Sequence, residues 1–108
     1  MNALPGIGRQ SMGDIAPKLA ELTDQVLFGH VWQRPQLSPR ERSLATVAAL
    51  VALNRGEQLP FHLGRARDNG ISRDELAELV THLAFYAGWP CAASAVSALR
   101  ALDKVAAP

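Results

Sequence analysis

The sequence predicts an all-α protein, a compact single-domain bundle of about five to six helices. Of its 108 residues, 18 are alanine and 15 are leucine, whereas valine, isoleucine and threonine together supply only 13. This balance favours helix formation over strand formation. Two capping signals led by serine and several glycine or proline breaks also divide the chain into segments of helical length.

The first helix is predicted between Asp14 and Phe28, where apolar residues recur at helical spacing until Gly29 interrupts the pattern. The preceding residues 1–13 contain three glycines and one proline with little periodicity. We therefore expect a flexible N-terminal arm over residues 1–13 and a folded domain over residues 14–108. The apolar stripe of the first helix consists of Ile15, Leu19, Leu22, Val26 and Leu27.

The second helix is predicted from Ser38 to about Asn54. Ser38 suits the N-cap, Pro39 suits the first helical position, and Glu41 completes a capping box. This helix is apolar on almost every side, which predicts that it is the central buried element of the bundle.

The third helix is predicted from Glu57 to about Asn69. Pro60 either interrupts or starts it, and Gly70 suits its C-terminal cap because glycine readily adopts the left-handed conformation.

Two more helices complete the predicted bundle. Ser72 and Glu75 form a second capping box that opens the fourth helix, and Gly88 ends it. The apolar face of this helix is predicted to consist of Leu76, Leu79, Val80, Leu83 and Phe85. Pro90 starts a fifth helix rich in alanine and serine, whose small side chains allow another helix to approach closely.

The charge and hydropathy patterns exclude several functional classes. Eleven basic and ten acidic residues give a net charge of +1 and a pI near 8.0, which argues against a nucleic-acid partner. The longest apolar stretch, Leu44–Leu53, is too short to cross a membrane, and no export signal opens the sequence. We therefore expect a cytoplasmic protein with no membrane partner.

The composition also predicts self-association. Hydrophobic residues make up 48% of the chain, and charged residues make up only 19%, compared with about 25% in an average protein. A chain of this length buries only about two-thirds of its unfolded surface, so part of the apolar excess is expected to pack against another copy.

His62 and Arg65 form the first candidate for chemistry, because their spacing places both on one side of the third helix. A histidine titrating near neutral pH can transfer a proton while the neighbouring arginine holds a carboxylate. The alternative is a structural histidine that is hydrogen-bonded at a helix interface.

Glu78, His82 and Tyr86 form a second candidate set on one face of the fourth helix. The glutamate could orient the imidazole towards a pocket, or the three could form an ordinary polar seam. Glu41 is similarly ambiguous, because its place in a capping box already provides a structural role.

Trp32, Arg34 and Trp89 are predicted to lie in turns, where they form a third candidate set. Arginine offers bidentate binding of an anion and tryptophan offers a flat wall, so these residues suit a pocket for a small planar anion. The tryptophans could equally cover the ends of helices. No metal site is predicted, because the three histidines are widely separated and have no partners at ligand spacing.

Four segments of the sequence, taken in order, resemble those of one protein family. They read LFGHVWQRP over residues 27–35, SPRERSL over 38–44, FHLGRA over 61–66 with Asn69 and Gly70 following, and HLAFYAGWP over 82–90. On these residues the chain, from about Asp14 to Val105, resembles the carboxymuconolactone decarboxylase family.

The resemblance implies an all-helical fold of the alkylhydroperoxidase D-like type, assembled as trimers or hexamers with active sites near subunit contacts. One branch of the family converts 4-carboxymuconolactone to 3-oxoadipate enol-lactone without a cofactor, in aromatic-acid catabolism. The other branch uses a Cys-x-x-Cys pair followed by a histidine for peroxidase chemistry. Residues 54–60, which precede His62, contain no cysteine, and the single Cys91 has no intrachain partner, which excludes the disulfide mechanism.

The resemblance therefore implies a cofactor-independent lyase that decarboxylates a small carboxylated lactone. In that reaction His62 is expected to donate the proton, and Glu41 to hold an arginine or histidine in position. The residues expected to bind or surround the substrate are Arg34, Arg40, Arg42, Trp32, His82, Tyr86 and Trp89. The alternatives are a related enzyme acting on another cyclic metabolite, a weak peroxidase, and a non-catalytic oligomeric scaffold.

Overall fold

The computed structural model describes residues 6–106 and, of these, the side chains of residues 6–104. Six α-helices and no β-strand occur in this part of the chain, which confirms the predicted all-α class. The helices form two compact units, Met1–Pro39 and Arg40–Pro108. The sequence did not predict this division, and the boundary expected at residue 14 stays a prediction.

The first unit consists of short helices. They are α1 (Ile7–Met12), α2 (Pro17–Leu22), a π-helical turn (Thr23–Phe28) and a 3-10 turn (Val31–Gln33). The helix predicted from Asp14 thus begins three residues later, at Pro17. Proline suits the first turn because the N–H groups there have no partner within the helix, so the N–H that proline lacks is not needed. The second half of this helix has the wider π-helical spacing, which residue periodicity does not predict.

Helix α1 lies within the segment that the sequence predicts to be a flexible arm. The backbone N–H groups of Gly8 and Arg9 donate to the carboxylate of Asp24, at 2.6 and 3.1 Å. A Cβ atom at Gly8 would lie 2.6 Å from the carbonyl oxygen of Ala20, so only glycine permits this close approach. Residues 7–12 therefore pack as a helix, whereas residues 1–5 of the expected arm lie outside the described residues.

The apolar stripe predicted on the first helix is exposed. Ile15, Leu19, Leu22, Val26 and Leu27 each keep a large part of their surface accessible. Four of these side chains line a shallow groove of about 350 Å³. Among residues 6–39, the buried apolar residues are Ala20, Phe28 and Trp32.

The remaining four helices are longer. They are α3 (Pro39–Ala52), α4 (Leu59–Asp68), α5 (Arg73–Ala87) and α6 (Trp89–Ala106). Each begins and ends within about two residues of its predicted position, apart from the C-terminal end of α6, for which no end was predicted. None of the helices in the described part of the chain is both long enough and apolar enough to cross a membrane.

The connection between α4 and α5 confirms two local predictions. Gly70 has a φ of +91°, and the N–H groups of Gly70 and Ile71 donate to the carbonyl oxygens of Arg67 and Ala66, both at 3.0 Å. This pattern is a Schellman motif. The next residue, Ser72, accepts a hydrogen bond from the Glu75 N–H and donates its own N–H to the Glu75 carboxylate, which completes the predicted capping box.

The core of the second unit is centred on α6, which packs against both α4 and α5. The prediction that α3 is the central buried helix is wrong: α3 buries only Ser43, Val47 and Val51, about one residue per turn. A helix that is apolar on every side still buries only the side that meets its neighbours. The most deeply buried large side chains are Leu63, Ile71, Leu76, Val47 and Val51.

Polar contacts join the four helices. Asn69 at the end of α4 donates its side-chain N–H to the buried Ser43 hydroxyl at 3.0 Å. Asp103 on α6 pairs with Arg73 on α5 and, at 3.5 Å, with Arg67 on α4. The ion pairs are solvent-exposed, so each contributes little to the free energy of unfolding.

Candidate active site

His62 and Arg65 lie on the same side of α4, as their spacing predicts. His62 is half-buried, and its ring meets the ring of Phe61 edge-on with a centroid separation of 4.9 Å. Arg65 is only 6% exposed, which is unusual for a charged side chain. The pair thus places an imidazole and a guanidinium group in a region of low solvent access.

Burial sets the protonation state of His62. It lowers the pKa of His62 below the ordinary value of 6.5, and the positive charge of Arg65 lowers it further. Burial also lowers the pKa of Arg65, and the nearby Asp68 opposes that shift. Because arginine starts from a much higher pKa, it stays charged, so near pH 7 a neutral imidazole lies beside a fixed cation.

The first turn of α3 carries Arg40, Glu41 and Arg42. Arg40 forms an ion pair with Glu75, the same residue that caps α5. The backbone N–H of Ser72 lowers the pKa of Glu75 most strongly, and Arg40 adds to that effect. A substrate carboxylate would therefore compete with Glu75 for Arg40. Glu41 is exposed and Arg42 is partly buried.

His82 and Tyr86 lie on the exposed surface of α5. Their ring centroids are 4.9 Å apart, which is the contact their spacing predicts. Glu78, the third member of the candidate set, is also exposed.

Phe85 was predicted to belong to the apolar core face of α5, and this prediction is wrong. Its side chain is 74% exposed and contacts Trp89 at the start of α6, with the ring centroids 5.2 Å apart. Residue 85 lies off the stripe formed by the buried residues Leu76, Val80 and Ala84. Sequence reasoning therefore missed a surface pair of aromatic residues, although the large aromatics on either side of Gly88 were a signal for it.

The first unit holds the other two candidates. Trp32 is buried in the 3-10 turn and packs against Phe28, with the ring centroids 5.9 Å apart. The Gln33 side chain donates to the Phe28 carbonyl oxygen at 3.0 Å, which further ties this turn together. Arg34 follows the turn and is exposed. The burial of Trp32 fits the alternative in which this tryptophan has a structural role. Contact between Trp32 and a substrate stays a prediction.

Cys91 is the chain's only cysteine and packs, partly buried, against the core of the second unit. Among residues 6–106, no three side chains of histidine, cysteine, aspartate or glutamate lie together as metal ligands would.

These features define a class of all-α protein: a helical bundle with a shielded histidine–arginine pair and no second cysteine for disulfide chemistry. The model of the carboxymuconolactone decarboxylase family matches residues 17–101, which is most of the chain. The chain belongs to the carboxymuconolactone decarboxylase family, as its motifs predict.

Two named relatives are similar to the chain. A 4-carboxymuconolactone decarboxylase of Acinetobacter baylyi is 37% identical over 87 residues, which cover 81% of this chain and 65% of the relative. A nitrosuccinic acid decarboxylase of Metarhizium robertsii is 37% identical over 70 residues, which cover 65% of this chain and 49% of the relative. The chain thus spans between half and two-thirds of the length of these relatives.

Proposed function

We propose that this protein is a cofactor-independent decarboxylase that acts on a small carboxylated lactone, as a carboxy-lyase. The observation that carries the proposal is that two relatives, each 37% identical to the chain, are both decarboxylases by name although their named substrates differ. Loss of a carboxylate is therefore the chemistry that they share. We further propose a role in aromatic-acid catabolism, by similarity to the first relative.

The reaction requires an anion site and a proton. When the substrate carboxylate leaves as carbon dioxide, its bonding electrons enter a ring that is conjugated to the lactone carbonyl. Negative charge then develops on the carbonyl oxygen, where a cation or hydrogen-bond donor lowers the barrier. A general acid finally protonates the ring carbon next to the lactone carbonyl, where the dienolate also carries negative charge, so each turnover consumes one proton.

His62 is the proposed proton donor, and Arg65 is proposed to hold an anionic group beside it. The imidazole is largely neutral in the unliganded protein, because burial lowers its pKa. A bound carboxylate would favour the imidazolium form, since an adjacent negative charge raises the pKa of histidine. Substrate binding would thus supply His62 with the proton that it then delivers to carbon.

The other candidates keep the roles assigned from the sequence. Arg34, Arg40 and Arg42 are proposed to bind carboxylate groups, and Glu41 is proposed to position an arginine or His62. The proposed lining residues are Trp32, His82, Tyr86 and Trp89.

We also propose that the protein is a cytoplasmic homo-oligomer, a trimer or hexamer, whose active sites lie near subunit contacts. The support is the amount of apolar surface that the single chain leaves accessible, including Ile15, Phe85 and Trp89. No nucleic-acid or membrane partner is proposed.

A panel of carboxylated butenolides with carbon dioxide detection tests the activity. We expect His62→Gln to lower kcat by about 10²- to 10⁴-fold, the usual contribution of a general acid. His30→Gln is the matched control, because His30 is exposed and lies outside the candidate set. Unchanged turnover in folded His62→Gln would refute the assignment of His62.

Adding other cyclic carboxylic acids and an organic hydroperoxide to this panel separates the alternative functions. Turnover of only a different cyclic acid would redefine the substrate, and no turnover of any member would favour a scaffold. Reduction of an organic hydroperoxide that persists in Cys91→Ser would indicate peroxidase chemistry without a thiol.

A further inference from the structure

A groove runs along the outer surface of α5 and α6. Its wider part has a volume of about 230 Å³ and is lined chiefly by Val80, Phe85, Trp89, Ala92, Ala93 and Val96. A second depression of about 170 Å³ continues from Val80 and Val96 to Arg73 and Arg100. We call this continuous feature, from Phe85 and Trp89 to Arg73 and Arg100, the α5–α6 groove.

The aromatic end of the α5–α6 groove has the shape of a ridge beside a hollow. Phe85 is 74% exposed and Trp89 is 64% exposed, and their edge-to-face contact holds the two rings together at the surface. Ala92 and Ala93 lie in the adjacent lining and have small side chains. A long side chain from another surface therefore has room to enter next to the ridge.

The exposed area of this end suits a protein interface. Aromatic side chains present about 150–250 Å² each, so the exposed parts of Phe85 and Trp89 amount to roughly 300 Å². A standard interface buries about 800 Å² on each partner, of which somewhat more than half is apolar. The two rings thus supply about two-thirds of the apolar area that one partner needs, and Val96, which is 42% exposed, adds to it.

The charges of the groove indicate what covers it. The aromatic end has no charged lining residue among those that define it, whereas the other end carries Arg73 and Arg100. Arg73 and Phe85 are twelve residues apart on α5, which separates the two ends by about 18 Å. If the grooves of two copies packed in a parallel orientation, Arg73 and Arg100 of both copies would lie at the same end. The repulsion among these four positive charges would be unfavourable.

Two grooves in opposite directions are complementary. Each Arg100 then lies near the aromatic ridge of the other copy, where a guanidinium group and an aromatic ring attract one another. Arg73 already pairs with Asp103, so Arg100 is the cation assigned to this contact. Val80 and Val96 lie between the two ends, so the symmetry axis would pass close to them.

We propose that the α5–α6 groove is a two-fold interface with a second copy of this chain, in which the Phe85–Trp89 ridge of each copy fills the groove of the other. The proposal rests on the homo-oligomer of the proposed function and names the surface that forms it. It assigns Trp89 to a subunit contact, in addition to its proposed role in lining an active site near that contact.

Sedimentation analysis over a range of protein concentrations tests the interface. We expect Phe85→Lys to weaken two-fold association by at least 100-fold, because each interface contains the substitution twice. Leu53→Lys is the matched control, since Leu53 is also exposed and does not line the groove, and it should leave association unchanged. Circular dichroism establishes that both variants are folded.

A pair of substitutions tests the antiparallel arrangement. In the proposed interface residue 85 lies near Arg100 of the second copy, so Phe85→Asp gains an attraction where Phe85→Lys gains a repulsion. We expect Phe85→Asp to associate at least tenfold more tightly than Phe85→Lys at low salt, and the difference to shrink at high salt. Equal association of the two variants would contradict the antiparallel arrangement.

The outcomes separate this interface from the proposals on which it depends. A wild-type monomer at all concentrations would overturn both the homo-oligomer and the interface, whereas decarboxylase activity is measured independently. A wild-type trimer would overturn the interface alone, because a trimer has no two-fold axis. A wild-type hexamer or dimer that Phe85→Lys leaves intact would overturn it as well.

Discussion

Replacing Leu63 by alanine should strongly destabilise the second unit. Leu63 follows His62 on α4 and has no exposed surface, so the substitution removes three buried carbon atoms. At about 0.8 kcal/mol for each buried methylene, the transfer contribution is roughly 2.4 kcal/mol. The cavity that remains adds to this, so we expect the free energy of unfolding to fall by about 3–4 kcal/mol. With an unfolding entropy of about 2.1 cal/mol/K per residue, Tm should fall by about 15 °C.

Urea unfolding followed by circular dichroism measures this loss. Wild type and variant are compared at one protein concentration, because self-association adds to apparent stability. Leu53→Ala is the control: the chemical change is the same, but Leu53 is 62% exposed, so its effect should stay within about 0.5 kcal/mol. A loss below about 1 kcal/mol for Leu63→Ala, or equal losses for the two variants, would refute this account of the core.

Three further predictions concern pH and local structure. Because the pKa of His62 is lower in the folded protein than in the unfolded chain, its contribution to stability is present above about pH 6.5 and is lost as pH falls through the folded-state pKa. In urea titrations between pH 5 and pH 7.5, His62→Gln should therefore reduce the pH dependence, and His82→Gln should retain it. Ser72→Ala should lower the free energy of unfolding by about 1 kcal/mol, and Ser72→Thr by less, in the same assay. Gly8→Ala should cost about 1–3 kcal/mol by forcing α1 away from α2, and faster hydrogen exchange in α1 would reveal it.

Local signals in the sequence predicted the helices of the second unit well. The C-terminal cap at Gly70 and the capping box at Ser72 depend on residues close together in the chain, and both form as predicted. The same reasoning failed for the core position of α3, because its apolar residues do not reveal which side meets a neighbour. It failed for Phe85 because a residue next to a buried stripe on α5 is exposed after a small rotation of the helix.

The candidate site was predicted only as far as helical spacing allows. The shared face of His62 and Arg65 and the contact between His82 and Tyr86 follow from their separations along one helix. The burial of Arg65, and with it the lowered pKa of His62, depends on how neighbouring side chains pack around α4. The ion pair between Arg40 and Glu75 joins residues 35 positions apart, which spacing along a helix does not predict.

The sequence by itself determined the all-α class, the limits of the four longer helices apart from the C-terminal end of α6, the absence of a two-cysteine pair and membership of the carboxymuconolactone decarboxylase family. These properties depend on residue types and on separations of a few residues, which the order of amino acids states directly. Only the tertiary structure decided the solvent exposure of the α5–α6 groove, the packing of α1, and the shielding of the histidine–arginine pair. Solvent access is the physical reason, because it depends on which distant segments cover a residue.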